Sequence, residues 1–401
     1  MAGTWIEVDL DAVVGNYREV IKHLHPQARC MAVVKADAYG LGAIEVARAL
    51  EEEGCEAFAV TRVEEGLFLR EHGIEGIILV LGPTMKEEWL QAIEAQLQLS
   101  LSEISSISEL NDICSNMGQE LQQNVKVHIK VETGMGRTGF RISELGELIN
   151  ALRNAPNVEV SGVYTHFARA AQRDQSYTLG QYERFKAFTD QLEEGGIYPT
   201  WKHVCNSAAF LDHPEWHHDF VRIGTLLIGH YPGQAFSGRL GLKDPWTAKS
   251  QIVHLRKVPK GTNVGYQSLY HTKKETKLAV IPVGYADGFG VAPHFVPQGW
   301  LDFLKIVIKN FIALFGIFLG QERVELKGRT VRVAGKIGMQ LTVLDVGGQD
   351  CMLGDEVIIP LRRTVANARV PRRYRKNGQM LSKRVVKEGI LPTCPEYSHL
   401  V

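Results

Sequence analysis

The stretch Cys30-Met31-Ala32-Val33-Val34-Lys35-Ala36-Asp37-Ala38-Tyr39-Gly40-Leu41-Gly42 decides how the chain is read. Its unbroken apolar start is the pattern of a strand buried on both faces, as in a parallel sheet. Gly40 and Gly42 close that strand as a loop, and Ile44 to Leu50 continues as a helix. A lysine at the C-terminal end of a buried strand, ahead of a strand–loop–helix unit, stands where barrel enzymes place catalytic groups. Amine chemistry needs a partly desolvated lysine, because burial lowers its pKa enough for Schiff-base formation. On the pattern alone the commoner alternative is a rim lysine, with its stem on apolar surface and its head in water.

Upstream, Thr4 to Val8 reads as a strand and Asp11 to Leu24 as a helix, with Asp9 or Asp11 as its cap. Downstream, short apolar runs are each followed by a helical stretch: Met31–Val34, Ala57–Val60, Ile77–Leu81, Leu97–Leu101, Val125–Val131, Val158–Tyr164, His203–Cys205 and Val221–Arg222. This alternation predicts an α/β fold, a parallel sheet closed as a (β/α)8 TIM-like barrel. From about Pro232, Gly and Pro punctuate short alternating runs: Lys249–Arg256, Lys277–Val283, Thr330–Ala334, Gln340–Val346 and Glu356–Ile359. These predict a mostly antiparallel β domain. The expected organisation is a barrel over 9–235 and a β domain over 236–390, with an N-terminal strand over 1–8 joining the latter.

A chain of 401 residues suits two domains, and 45% hydrophobic content supports globular folding. Lys+Arg and Asp+Glu number 45 each, so the formal net charge is zero and bulk charge gives no reason to expect nucleic acid. The six cysteines are scattered, which argues against a disulfide framework and against a metal site. The N-terminus lacks a basic region followed by an apolar one, so the expectation is a cytoplasmic protein.

Polar residues collect where the predicted barrel strands end. Lys130-Val131-Glu132-Thr133-Gly134-Met135-Gly136-Arg137-Thr138-Gly139 surrounds an arginine with glycines, so the backbone can approach a ligand while the guanidinium is presented. Tyr164-Thr165-His166 places a histidine after a strand, a position more often structural than catalytic. His203-Val204-Cys205-Asn206-Ser207 puts Asn206 and Ser207 at a strand-to-helix turn, suited to a phosphate or to simple N-capping by Ser207. Val221-Arg222-Ile223-Gly224-Thr225 closes the set, and its arginine could equally be a rim residue in a salt bridge.

Val34-Lys35-Ala36-Asp37-Ala38-Tyr39-Gly40-Leu41-Gly42 closely resembles the pyridoxal-phosphate lysine motif of alanine racemases, and the resemblance continues in family order over roughly residues 4 to 372. It supports the two weakest strands, the last of the barrel. It implies a fold-type-III pyridoxal-phosphate enzyme whose cofactor is carried on Lys35, with Tyr39 near its phosphate. Ser207, Gly224 and Thr225 are implied at the phosphate, beside Asn206. Arg222 is implied at the ring nitrogen with His166 bonded to it, and Arg137 at the phenolic oxygen and the substrate carboxylate. Lys130 matches a lysine that is carbamylated in some family members. Val264-Gly265-Tyr266 and Ile281-Pro282-Val283-Gly284-Tyr285 resemble two further family segments. They imply Tyr266 as a second base opposite Lys35, Tyr285 at the substrate entrance, and a homodimer with shared active sites. The implied reaction is conversion of L-alanine to D-alanine, a peptidoglycan precursor.

The resemblance weakens near the substrate. Gly335-Lys336-Ile337-Gly338-Met339-Gln340 is similar to the family's Gly-Arg-x-Cys-Met-Asp stretch; Met339, whose N–H would meet the substrate carboxylate, is retained. Ala368 stands where racemases usually have a tyrosine before Arg-Val-Pro-Arg, which predicts room for a side chain longer than a methyl. The alternatives are a decarboxylase on the same plan, or a non-catalytic cofactor-binding paralogue. An apolar helical insert over about 291–322 is foreign to the family pattern. Packing on its own domain or in a dimer is favoured there over contact with a membrane surface through 300–320. The basic run from Arg372 to Lys387 reads as a solvated tail.

Overall fold

The computed structural model describes residues 3–117, 124–291, 299–313 and 322–384. Two compact units emerge, one from Asp9 to Pro245 and the other from Trp246 onward together with the chain up to Val8.

The first unit is the barrel. After β1 (Thr4–Asp9), its strands are β2 (Arg29–Val33), β3 (Ala57–Val60), β4 (Ile77–Val80), β5 (Gln98–Leu101), β6 (Val125–Lys130), β7 (Val158–Tyr164), β8 (Trp201–His203) and β9 (Phe220–Ile223). They form one parallel sheet in the order β8-β7-β6-β5-β4-β3-β2-β9. Backbone bonds from Asp219 N to the Lys202 carbonyl (3.1 Å) and from Arg222 N to the Cys205 carbonyl (3.0 Å) join the two end strands and close the ring. β3 and β4 read as continuous apolar runs because both their faces are buried, and Met31, Ala57, Ala59, Leu79 and Phe220 form one cluster. Asp9 caps the first helix, Leu10–Lys22, accepting from Ala12 N at 3.1 Å. The unit runs past residue 235 to Pro245 because Asn16 holds Lys243, accepting from its N–H at 2.7 Å and donating to its carbonyl at 2.8 Å.

The second unit is built on a ten-stranded, mostly antiparallel sheet. β1 pairs there with Trp246–Gln251. The run expected as one strand over Lys249–Arg256 is two strands, Trp246–Gln251 and His254–Val258. The intervening N–H groups explain the break: Ile252 bonds the Asp355 carbonyl and Val253 the Val280 carbonyl, so the chain crosses from one partner to another. The basic segment expected as a solvated tail is instead a hairpin, Arg372–Lys376 with Gln379–Arg384. Tyr374 is buried within it, and the Arg373 guanidinium lies 4.0 Å over the Trp5 ring. Lys387 lies outside the described residues, as do 292–298 and 314–321 of the apolar insert. Trp300–Ala313 is a helix with Trp300, Leu301, Phe303 and Phe311 exposed. Among the described residues no helix is long and apolar enough to cross a membrane.

Candidate active site

The residues after β2 do not form the plain loop that Gly40 and Gly42 suggest. Ala36, Asp37, Ala38 and Tyr39 all take left-handed backbone angles, with φ of 51°, 56°, 50° and 57°, before Gly40 at 89°. L-residues avoid this conformation because Cβ crowds the following carbonyl. The turn is held from both ends. Glu65 accepts from Ala36 N at 2.5 Å and from Thr61 and Arg62 N–H, and Asp37 accepts from Ala43 N at 2.8 Å. The turn sets both Lys35 and Tyr39 on the wall of a cavity of about 710 Å³.

Lys130, Arg137, His166, Asn206, Ser207, Arg222, Gly224 and Thr225 line the same cavity, so the structure brings together every sequence-predicted site residue of the barrel. Among the described residues its lining carries four basic side chains, Lys35, Lys130, Arg137 and Arg222, and no carboxylate. Burial lowers the Lys35 pKa, Arg137 adds to the effect, and Glu65 opposes it. Lys130 is pushed down to about 8 by burial and by Arg137 and Arg222; its ammonium donates to Thr138 Oγ1 at 2.5 Å. His166 is pushed down to about 3 by burial and the neighbouring cations, so it is neutral at pH 7. Burial raises Tyr39 to about 12 and keeps its hydroxyl protonated, a donor.

Arg222 is not a rim residue in a salt bridge. It is buried, and its neighbours are neutral acceptors: the carbonyls of Thr165 (2.6 Å), His203 (2.8 Å) and Val204 (3.2 Å), and His203 Nδ1 at 2.8 Å. His166 Nδ1 is farther, at 3.5 Å. Tyr164 lies under the guanidinium at 5.1 Å. Burial draws the arginine pKa down to about 10, which leaves it charged at pH 7.

Capping of the helix Ser207–Asp212 falls to Asn206, whose Oδ1 accepts from Ala208 N and Ala209 N, both at 3.1 Å. The Ser207 hydroxyl is thereby left to the cavity. Gly224 is required here, because a Cβ would stand 2.2 Å from the Tyr39 hydroxyl. The Arg137 loop is shaped by Glu132, which accepts from Gly134 N (2.5 Å), Gly136 N (2.9 Å) and Arg137 N (3.2 Å). Sequence reasoning passed over Glu65, Glu132 and Thr138; an acid next to a glycine run, as at Glu132, was the only signal.

Tyr266, Tyr285 and Met339 belong to the second unit. Tyr266 is 72% exposed in the short turn Tyr266–Ser268, where strand packing does not hold it. Lys336 donates to Gln267 Oε1 at 2.8 Å, tying this turn to the Gly335–Met339 stretch. Tyr285 N and Ala286 N bond the carbonyls of Gly338 and Met339, both at 3.0 Å. Asn367 Nδ2 donates to the Ala286 carbonyl at 3.0 Å. The second-unit segments singled out in the sequence are thus hydrogen-bonded to one another in series.

A parallel barrel with a partly buried lysine and further basic side chains around one cavity defines the class, a barrel enzyme. The family described as "Alanine racemase, N-terminal domain" matches residues 8–232, and "Alanine racemase, C-terminal domain" matches residues 246–371. An alanine racemase of Methanococcus maripaludis is 35% identical over 377 residues, 92% of this chain and 98% of that protein. One from Carboxydothermus hydrogenoformans is 42% identical over 290 residues, 72% of this chain and 77% of that protein. The solved alanine racemase of Clostridium difficile superposes with a TM-score of 0.84 at 30% identity, covering 96% of this chain and 99% of that one. The chain belongs to the alanine racemase family.

Proposed function

We propose that the protein is a pyridoxal-phosphate-dependent isomerase that interconverts L- and D-alanine by proton exchange between Lys35 and Tyr266. The acid-free cationic cavity around Lys35 carries this reading, together with the family match across both parts of the chain. The lining suits the cofactor chemically. A desolvated amine answers its aldehyde; donor hydroxyls on Tyr39, Ser207 and Thr225 beside Gly224 and Asn206 answer its phosphate; a buried guanidinium answers its ring nitrogen.

When bound, the cofactor supplies an electron-withdrawing ring that acidifies the substrate α-proton. The chain's own residues do the rest. Arg222 can only donate, so it would hold the cofactor's ring nitrogen as an unprotonated acceptor and keep electron withdrawal to what one reversible deprotonation needs. His166, held neutral, adds no charge beside it. Arg137 orients the substrate carboxylate, with the Met339 N–H as a second donor and Tyr285 at the entrance. Lys35 and Tyr266 work on opposite faces: the one that is deprotonated (amine or phenolate) takes the α-proton, and the other, protonated (ammonium or hydroxyl), returns one. Each turnover leaves one of the two protonated and the other not, and the α-carbon inverted.

The exposure of Tyr266 supports its delivery to the site of a second copy, so the catalytic unit is a homodimer with shared active sites. In this reading Lys130 takes up CO2 as a carbamate, with loss of a proton; its pKa, lowered to about 8, supports this by leaving part of the amine neutral. The five described cysteines are free and buried, in keeping with a reducing, cytoplasmic compartment. Gly338, Gln340 and Ala368 replace larger or charged family residues and support a substrate range extended beyond alanine.

The test is solvent deuterium exchange at the α-carbon in heavy water, over a panel of L-amino acids with bound cofactor, read together with the enantiomer. Exchange with inversion of alanine is the expected result. Exchange without inversion would remove Tyr266 as the second base, and no exchange across the panel would end the racemase reading. Efficient inversion of alanine with almost none of serine or larger residues would refute the extended range alone.

A further inference from the structure

Behind Arg222 the barrel interior holds a file of polar side chains that the proposed chemistry does not touch. Arg222 Nη1 is 2.8 Å from His203 Nδ1, His203 Nε2 is 2.8 Å from His128 Nδ1, and His128 Nε2 is 2.7 Å from Gln98 Oε1. Both imidazoles are 0% exposed and Gln98 is 6% exposed. The space is made for them: a Cβ on Gly162, in the adjacent strand β7, would stand 2.3 Å from His128 Nδ1. Tyr164 stacks on the His203 ring at 4.8 Å, with planes 5° apart.

One arrangement of protons satisfies all three contacts. A guanidinium only donates, so His203 Nδ1 accepts and its ring proton is on Nε2. That proton is donated to His128 Nδ1, so the His128 proton is also on Nε2, where it meets the Gln98 carbonyl oxygen. The glutamine end therefore demands the same polarity as the arginine end. A further proton on His203 would face the guanidinium, and one on His128 would face the His203 N–H. Burial and the nearby Arg222 charge act in the same direction, pushing His128 down to about 3 and His203 well below its usual value.

We infer that Gln98, His128 and His203 are positioning residues: an all-neutral, one-directional hydrogen-bond relay that turns a lone pair toward Arg222 and fixes its guanidinium plane without a carboxylate. The other guanidinium contacts are neutral as well, three carbonyls and the more distant His166 Nδ1, so the positive charge is oriented and not cancelled. The consequence for the cofactor rests on the reading of Arg222 above; the relay itself does not. Reversal of the file would set an N–H of His203 against the arginine and swing the guanidinium away.

Solid-state NMR of the holoenzyme labelled with 15N-histidine tests this, because neutral tautomers and imidazolium have separate ring-nitrogen shifts. His128 and His203 are both expected as neutral Nε2–H rings at pH 7. A proton on Nδ1 of His203, or an imidazolium at either position, would overturn the relay without any variant. Gln98→Glu is nearly isosteric but ends the file in a carboxylate. It is expected to draw a second proton onto His128, remove the Nε2–H tautomer of His203, and change the absorption spectrum of the bound cofactor. A folded Gln98→Glu protein with unchanged His203 shifts and an unchanged cofactor spectrum would refute the coupling to Arg222. The Gly162→Ala variant, which crowds His128 without altering any donor, is expected to perturb the same His203 shifts. The expected tautomers in a protein that fails the deuterium-exchange test would uphold the relay and discard only the racemase reading.

Discussion

Replacing Ala36 by glycine tests the left-handed turn that carries Lys35 and Tyr39. Ala36 is exposed, with φ 51° and ψ 49°, so removing its Cβ costs no packing. An L-residue in this conformation costs about 1–2 kcal/mol, which glycine does not incur. Glycine gives back about 0.5–1 kcal/mol through the greater freedom of the unfolded chain. The net expectation is a stabilisation of about 0.5–1 kcal/mol, or a melting temperature higher by about 1–4 °C for a unit of this size. Ala187 is the matched control, an exposed residue inside the right-handed helix Ser176–Glu194. The same change there is expected to cost about 1 kcal/mol. The assay is thermal unfolding of the two variants beside the parent, with bound cofactor held constant. Opposite signs support the turn. A loss of similar size in both would show that Ala36 does not sit in a left-handed conformation and would remove the strain argument.

Three further outcomes follow from the geometry. Gly224→Ala puts a methyl where the Tyr39 hydroxyl lies; overpacking of this kind costs about 1–3 kcal/mol, and cofactor retained after dialysis should fall with the melting temperature. His128, neutral in the fold down to about pH 3, is charged in the unfolded chain below about pH 6.5. The unfolded state then binds the extra proton, so unfolding free energy should drop by up to about 1.4 kcal/mol per pH unit for this group as pH falls through that window, checked by denaturant titrations from pH 7 to pH 4. Arg373→Ala removes the cation over Trp5 and should cost about 0.5–1 kcal/mol in the same titration, where a freely solvated tail would show no change.

Much of the barrel was legible because its signal is local. Ala57–Val60 and Val158–Tyr164 match the expected strands residue for residue; the first is buried on both faces and apolar along its whole length, while the second keeps its β-branched valines around Glu159 and Ser161. The later strands were harder. His203–Cys205 was expected where the strand is Trp201–His203, because Lys202 broke the apolar pattern ahead of it. His203 is polar for a reason the pattern cannot hold: its partners are His128, 75 residues away, and Arg222, 19 residues away. The basic hairpin was misread for the same cause, as arginines look solvated until a Trp5 ring from the opposite end of the chain lies beneath one of them.

By itself the sequence determined the alternation of strand and helix, the change to short antiparallel runs, and the residues gathered at the barrel strand ends. Each of these is written in neighbouring residues, through periodicity or a contiguous motif. The tertiary structure alone decided the handedness of the turn after Lys35, the capping of Ser207–Asp212 by Asn206, the carboxylate-free setting of Arg222 and the proton order behind it. Those depend on hydrogen bonds between residues far apart in the chain, such as Glu65 to Ala36 and Gln98 to His128, which exist only once the barrel has closed.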